Sequence, residues 1–570
     1  MRLRRWVVVG GLGLAVAGWA QSGLSAPLVI EAEMAPVRTA GDRVGDVWNL
    51  HSPGRVGGYL SADRPVRVEL KVTAYGSPLG GEWPWMDLTL DGVIVAGTFV
   101  AGERPVAYRF SLMLPAGVTE VAVGFTNDAV SEMEDRNLYV DKIAIALAKT
   151  ALETSQPPLK LASPTEFLAA FQAREQRTLA ATRDAIARHR QGPVIIRVTT
   201  PEGRPAAGVK IDVKLTRHAF LFGCNFFEFK RHDDPAKNEQ YEKHFEELFN
   251  YATLPFYWRG YEWRRGQPDY AKTEAEIAWL AARGIRMKGH PILWGHEAGE
   301  PPWAGGQPSP DQQRARVADL LTRFRQIEFW EVVNEPSHIP QPKIDAPYRW
   351  AREANGAARL IVNDYHVLTN GRPEFFRLIA RAQENDVPID AIGMQAHEPR
   401  DARLPLARVK RVLDKYAELG LPIHITEFTP TTDGRPVTDH AADVARGAVW
   451  NEATQAEYAE QFYRVCFAHP SVAAITWWDL HEGEAWLAGG GLLRKDFSQK
   501  PAYNRLKNLI HQEWTTHTTV TTDETGIARF RGFFGEYQVT VQDERGTASA
   551  TRSCAQDGEN VWHIRLTSSR

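Results

Sequence analysis

Two segments of this chain run through apolar, β-branched residues and end on a glutamate: Trp330-Glu331-Val332-Val333-Asn334-Glu335-Pro336 and His424-Ile425-Thr426-Glu427-Phe428. In a parallel barrel, side chains at the carboxyl ends of the strands project into the mouth rather than the core. Two glutamates on separate strands can then flank one glycosidic bond. One would protonate the leaving oxygen while the other attacks the opposite face, which is the equipment of a retaining glycosidase. Taken singly, each is more simply a surface residue at a strand-to-loop junction. An Asn-Glu-Pro closing the first strand tips the reading toward catalysis.

The elements that must position these residues are legible as alternation. Apolar strand cores fall at 220–225, 251–256, 286–293, 329–333, 359–362, 391–394, 423–426 and 474–477. Segments of helical period at 273–283, 312–324 and 406–419 separate them. Eight such units predict an α/β fold, a (β/α)8 barrel over 219–512. A doubly wound open sheet is the alternative, but no glycine-rich phosphate loop supports it. Short alternating strands such as Val66-Arg67-Val68-Glu69-Leu70 predict a β-sandwich over 27–148. Residues 149–218 read as a linker at Ser155-Gln156-Pro157-Pro158, a helix capped by Ser163-Pro164-Thr165-Glu166, and two accessory strands. A small β-sandwich is expected over 513–570, pairing with those strands across the barrel.

Composition narrows the class. With 570 residues the chain is too long for one core, and a net charge of −3 carries neither a basic stripe for nucleic acid nor an acidic tail. The 18 tryptophans suit stacking on sugar rings or core packing, and 3 well-separated cysteines cannot form a disulfide framework. Arg2, Arg4 and Arg5 precede an apolar run and small residues up to Ala26, so 1–26 reads as a signal peptide. A secreted or periplasmic protein, free of the membrane once the signal is removed, is expected.

With the glutamates on strands four and seven, residues 220–509 resemble glycoside hydrolase family 10, the retaining β-1,4-xylanases. The resemblance implies that Glu335 is the acid/base, Glu427 the nucleophile and Asn334 the donor to the sugar 2-hydroxyl. Gly289-His290-Pro291-Ile292-Leu293-Trp294-Gly295-His296 resembles the strand-three motif lining the subsite, with one extra residue before His296. Asn363-Asp364-Tyr365 matches the strand-five signature, and Gln395-Ala396-His397 the motif whose histidine orients the nucleophile. Trp478 and Trp486 fall on the tryptophans that wall the subsite. Strand two departs from the family: Thr253-Leu254-Pro255-Phe256-Tyr257-Trp258-Arg259-Gly260-Tyr261 stands where a Glu-Asn pair and a Lys usually bind the glycone, and the match resumes at Glu262. Tyr257 and Trp258 are therefore expected to stack on the sugar, with Arg259 and Glu262 as possible polar replacements; core packing is the alternative for Trp258.

The N-terminal region carries a second resemblance, to calcium-dependent xylan-binding modules, through Asp135-Arg136-Asn137-Leu138-Tyr139-Val140-Asp141. It implies a calcium site at Asp128, Asp135 and Asn137, hard oxygen ligands of the kind the ion prefers, with Glu82, Trp85 and Asp87 nearby. The expectation is a monomeric hydrolase acting on plant cell-wall xylan without a catalytic cofactor. An exo-acting β-glycosidase on oligosaccharides, a hydrolase of another β-glycan and a non-catalytic glycan-binding protein are the alternatives.

Overall fold

The computed structural model describes residues 26–148, 159–338, 344–400 and 402–567. The expected leader up to residue 25 and the linker at Ser155–Pro158 lie outside the described residues. Two compact units result. Of the described residues, one holds those up to Met86 with Thr98–Gly117 and those between Val123 and Ala162; the other holds Asp87–Gly97, Val118–Ala122 and those from Ser163 onward.

In the first unit a seven-stranded antiparallel sheet sets the long strands Val66–Ser77 and Asp135–Leu147 side by side. Val66, Val68, Leu70, Val72 and Ala74 are buried while Arg67 and Glu69 face out, the period-two pattern of a strand with one face in a core. Asp135–Leu147 brings the Asp-Arg-Asn motif beside Ser77, whose hydroxyl accepts from the Asn137 N–H at 3.0 Å.

In the second unit eight parallel strands close a barrel, as the alternation predicts. They are β1 (Leu221–Asn225), β2 (Tyr251–Pro255), β3 (Arg286–His290), β4 (Phe329–Asn334), β5 (Arg359–Asp364), β6 (Ala391–Ala396), β7 (Ile423–Phe428) and β8 (Val472–Trp477). Closure comes from β1 pairing with β8, Leu221 opposite Ala474. The predicted strand at 286–293 is broken: β3 ends at His290, and Leu293–Trp294 pairs separately with β4. Inside the barrel, Leu221, Tyr251, Phe329, Ile361, Ala391 and Ala474 form a packed layer at the amino ends of the strands. Side chains near the carboxyl ends of the strands are left to build the mouth.

Helices are started by residues that satisfy free N–H groups. Ser163 and Glu166 form a reciprocal capping box at Pro164–Ala180, as do Ser309 and Gln312 at Pro310–Arg323. Cys224, Cys466 and Cys554 are free and buried, so the core and not disulfides supplies stability. No described helix is long and apolar enough to cross a membrane.

The strands flanking the barrel do meet. Gln191–Thr199 sits between Ile527–Phe533 and Val561–Arg565 in one sheet, and Lys210–His218 sits between His517–Thr521 and Gly535–Asp543 in another. The strands before the barrel and the tail after it are thus one structure. Removing residues 515–570 uncovers Val194, Ile196, Val198, Ile211 and Val213, all buried here and each stabilising by about 1.5–3 kcal/mol. The truncated chain is expected to melt roughly 10 °C or more below the full chain and to be cut by protease between residues 190 and 218. Unchanged melting and protection would contradict the pairing.

Candidate active site

Asn334 is the last residue of β4, Glu335 follows it, and Glu427 lies near the end of β7. The strands do not alternate regularly at these positions. Pairing register shifts between Glu331 and Val333 on β4, across Thr426 of β7 where it faces Met394 and Gln395 of β6, and between Ile425 and Phe428 of β7 where it faces β8. Such irregularities bend a strand and re-aim its side chains, here just before Asn334 and at Glu427, which stands opposite Gln395. Glu335 itself has φ +51°, a left-handed conformation that costs a residue with a side chain on the order of 1–3 kcal/mol. Its N–H donates to the Asn363 carbonyl at 2.8 Å, which helps to hold the turn.

One hydrogen-bonded frame carries both carboxylates. Glu335 accepts from Gln395 Nε2 at 2.7 Å and from Trp294 Nε1 at 2.9 Å. Glu427 accepts from Asn363 Nδ2 at 2.8 Å, and its other oxygen lies 2.9 Å from His397 Nε2. Asn363 Nδ2 also donates to Asn334 Oδ1 at 2.9 Å, and Gln395 Nε2 lies 3.5 Å from the same oxygen. Asn363 is set in turn by Thr426 Oγ1, which donates to its Oδ1 at 2.7 Å. Gly393 on β6 makes room for it, because a Cβ there would lie 2.6 Å from Asn363 Oδ1.

Beneath this frame, Glu331 is fully buried between Lys288 and His290. Its carboxylate pairs with Lys288 Nζ and with His290 Nδ1, the latter at 2.5 Å, while His290 Nε2 meets the Tyr257 hydroxyl at 3.1 Å. Burial pushes the Glu331 carboxyl up, but Lys288 and His290 more than offset it and hold it below the ordinary glutamate range. Burial pushes Glu427 up as well. The His397 hydrogen bond and the positive potential of His290 and His397 outweigh it and keep Glu427 low, the state a nucleophile needs. Burial raises Asp479 to about 6 even though it accepts from Asn225 and from the Trp486 N–H.

These groups open into a cleft of about 680 Å³ lined by Tyr257, His290, Trp294, Asn334, Glu335, Gln395, His397, Glu427, Trp478 and Trp486. Trp486 is 56% exposed and its ring lies 4.7 Å from that of His397. Trp478 is buried with its edge against His290 and Phe227.

Trp258 is the exception among the expected sugar-binding residues. It starts the short helix Trp258–Tyr261, is only 2% exposed and does not line this cleft. Its Nε1 donates to Glu262 at 2.9 Å and the buried Arg316 guanidinium covers its ring at 4.7 Å, so it belongs to the core. Nor do Arg259 and Glu262 replace the family's polar residues. Arg259 donates to the Glu297 carbonyl, and Glu262 accepts from Trp258 and the Gly266 N–H. Sequence reasoning missed Asn363 as a site residue, although it ends a strand beside the two glutamates in the manner of Asn334. It also missed Phe227, Glu228, Arg231 and Arg400, which line the cleft from loops without a periodic signal.

In the first unit, Asp128, Asp135 and Asn137 bring the oxygens a cation would need beside one loop. Asn137 Nδ2 donates to Asp135 Oδ2 at 2.9 Å. Asp128 Oδ1 and Asn137 Oδ1 are buried with no hydrogen-bond partner among the described residues. Burial, then the charge of Asp135, pushes the Asp128 carboxyl up. Orphaned oxygens beside two mutually repelling carboxylates fit a hard divalent ion. Glu82 is not part of this donor set, since its carboxylate pairs with Arg136 at 2.9 Å.

The sequence profile of glycosyl hydrolase family 10 matches residues 214–509, and that of a calcium-dependent, xylan-binding carbohydrate-binding module matches residues 69–156. Similar proteins include the anti-sigma-I factor RsgI6 of Acetivibrio thermocellus, 27% identical over 62% of this chain and 45% of its own length. Endo-1,4-beta-xylanase 2 of Arabidopsis thaliana is 26% identical over 59% of this chain and 31% of its own. Endo-1,4-beta-xylanase B of Thermotoga neapolitana is 25% identical over 44% of this chain and 76% of its own. The chain therefore spans less than half the length of the first two.

Removing the Glu331 carboxylate strands Lys288, which is itself fully buried. Glu331→Ala is expected to destabilise the barrel by about 3–5 kcal/mol, read by chemical denaturation at pH 7. Because the folded-state value of Glu331 is depressed, its contribution is complete above the ordinary value of 4.5 and drains away as pH falls through the folded value. The gap between wild type and variant should therefore narrow on acidification. A gap that widens below pH 4 would refute the ion-pair account.

Proposed function

Because this chain belongs to glycosyl hydrolase family 10, we propose that it hydrolyses β-1,4-xylosidic bonds of xylan by double displacement with retained configuration. The observation that carries this reading is the shared frame of Asn363, Gln395 and Asn334. It places one carboxylate on His397 and the other on Trp294, two environments for two roles. Glu427, kept low by His397 and His290, attacks the anomeric carbon. Glu335 gives its proton to the leaving oxygen, then takes one from the water that releases the sugar. Asn334 donates to the sugar 2-hydroxyl, a bond that strengthens in the transition state. Tyr257, Trp294, Trp478 and Trp486 supply aromatic faces to the pyranose rings. The xylanase names of the Arabidopsis and Thermotoga relatives support the choice of substrate.

In the first unit Asp128, Asp135 and Asn137 would hold calcium, which when bound supplies the positive charge that lets these oxygens face a glycan together. The leader-like residues 1–26 support export to where the polymer lies.

Glu427→Ala is expected to reduce xylan hydrolysis to background. Glu335→Ala should lose xylan hydrolysis yet still release good leaving groups from aryl xylosides, which need no acid. NMR of the first-formed product should show the β-anomer, with the two carboxylates about 5–5.5 Å apart in a crystal. An α-anomer would refute double displacement. Product analysis on a polysaccharide panel decides the substrate, since release of short oligomers from xylan separates endo from exo action.

The calcium reading is checked with the full-length Glu427→Ala protein on a xylan affinity gel. Retardation should fall on addition of chelator and recover with calcium, and Asp128→Ala should match the chelated state. Retardation indifferent to both would refute it.

A further inference from the structure

Among the described residues, two groups of side chains bring three metal-ligating atoms within 4.8 Å of one another. One, His290 with Glu331 and Glu427, is the catalytic floor. The other, Glu228, His232 and His481, stands apart from the catalytic frame, and nothing in the proposed reaction uses it. Glu228 follows β1 and lines the cleft, His232 lies on the same loop, and His481 lies on the loop after β8 that carries Trp486.

The polar pairing within this group is incomplete. His481 Nε2 lies 3.2 Å from the Lys495 carbonyl, so that nitrogen carries the hydrogen it donates. In the neutral ring Nδ1 then holds a lone pair, and it lies 3.0 Å from Glu228 Oε2 and 3.3 Å from the Gly483 N–H. The contact between Nδ1 and Glu228 Oε2 therefore needs a proton or a metal ion between the two atoms. His232 Nε2 is 3.3 Å from the same Glu228 oxygen, yet it is buried and makes no hydrogen bond.

The surroundings fix all three groups. The His481 ring stacks on Phe497 at 4.0 Å, and the His232 ring stands edge-on to both. Asn238 binds the His232 backbone at both its N–H and its carbonyl. A histidine held by a carbonyl on its far nitrogen is the usual setting of a metal-bound imidazole. Ligand separations of 3.0 and 3.3 Å suit a tetrahedral ion with bonds of about 2.0–2.1 Å, whose ligands stand about 3.3 Å apart.

We propose that Glu228 Oε2, His232 Nε2 and His481 Nδ1 bind a zinc ion that braces the loop after β1 against the loop after β8. Two imidazoles and a carboxylate select zinc over calcium or magnesium, which prefer all-oxygen sets. Three protein ligands leave a fourth position for water. The ion neutralises Glu228 at the edge of the cleft and fixes the loop that positions Trp486. Its role is structural, and its binding is read without measuring the proposed hydrolysis.

The test uses the full chain without a histidine tag, with calcium present to saturate any oxygen site. After zinc loading and gel filtration, elemental analysis should find one zinc per chain. His232→Gln and His481→Ala should each retain less than a tenth of that. Zinc at 100-fold excess over its dissociation constant should raise the wild-type melting temperature by roughly 5 °C and leave both variants unmoved. Cobalt in place of zinc should give the visible absorption of a four-coordinate ion in wild type and not in His232→Gln, which sits on a loop and serves should His481→Ala fail to fold. Wild type that retains no zinc overturns the proposal, as does equal zinc retention in wild type and His232→Gln.

Discussion

Glu331 is a carboxylate without access to water, and the floor of the barrel mouth is arranged around it. Its two oxygens are used by Lys288 and His290, both on β3, so the ion cluster ties β3 to β4 below the catalytic residues. A buried charge survives only where geometry and hydrogen bonds compensate its lost hydration. Here the compensation also has a direction. His290 is turned so that its other nitrogen meets Tyr257, and its positive potential reaches Glu427. His290 and His397 keep the nucleophile ionised against both its burial and the nearby charge of Glu331.

Above that floor the frame is built almost entirely from amides. Asn334, Asn363 and Gln395 each offer a donor and an acceptor in fixed relation, and none of them titrates. Between two carboxylates this matters, because an ionisable bridge would change the field each time a proton moves. The irregular pairing on β4 and β7 falls beside these amides and bends the strands just where Asn334 and Glu427 enter the mouth.

Much of this was legible in the sequence, for identifiable reasons. The barrel follows from eight apolar runs alternating with helical periodicity, because burial on both faces of a parallel strand writes a continuous signal. Glu335, Glu427, His290 and His397 are visible because they close such runs. The sequence leaves Trp258 between stacking and core, because a large aromatic beside a strand end reads the same whether it faces a ligand or a cation; the buried Arg316 that claims it lies on a distant helix. Asn363 stands in the strand-five signature, but its role was not legible, because only its contact with Glu427 shows what the asparagine does. Glu228, His232 and His481 come together from loops far apart in the chain, a meeting that no local pattern records.

The sheets that join the two ends of the barrel impose an order on biogenesis. Val209 donates to Thr522 across 313 residues of chain. At a synthesis rate of about 5–20 residues per second, the early strands wait roughly 15–60 s for their partners. During that interval Gln191–Thr199 and Lys210–His218 present unpaired edges to any neighbouring chain. Their outward positions are occupied by Pro193, Arg197, Lys210, Asp212 and Lys214, charges and an imino acid that resist edge-to-edge pairing. The residues that later form the solvent face of the finished sheets guard the nascent chain against aggregation until its last strands arrive.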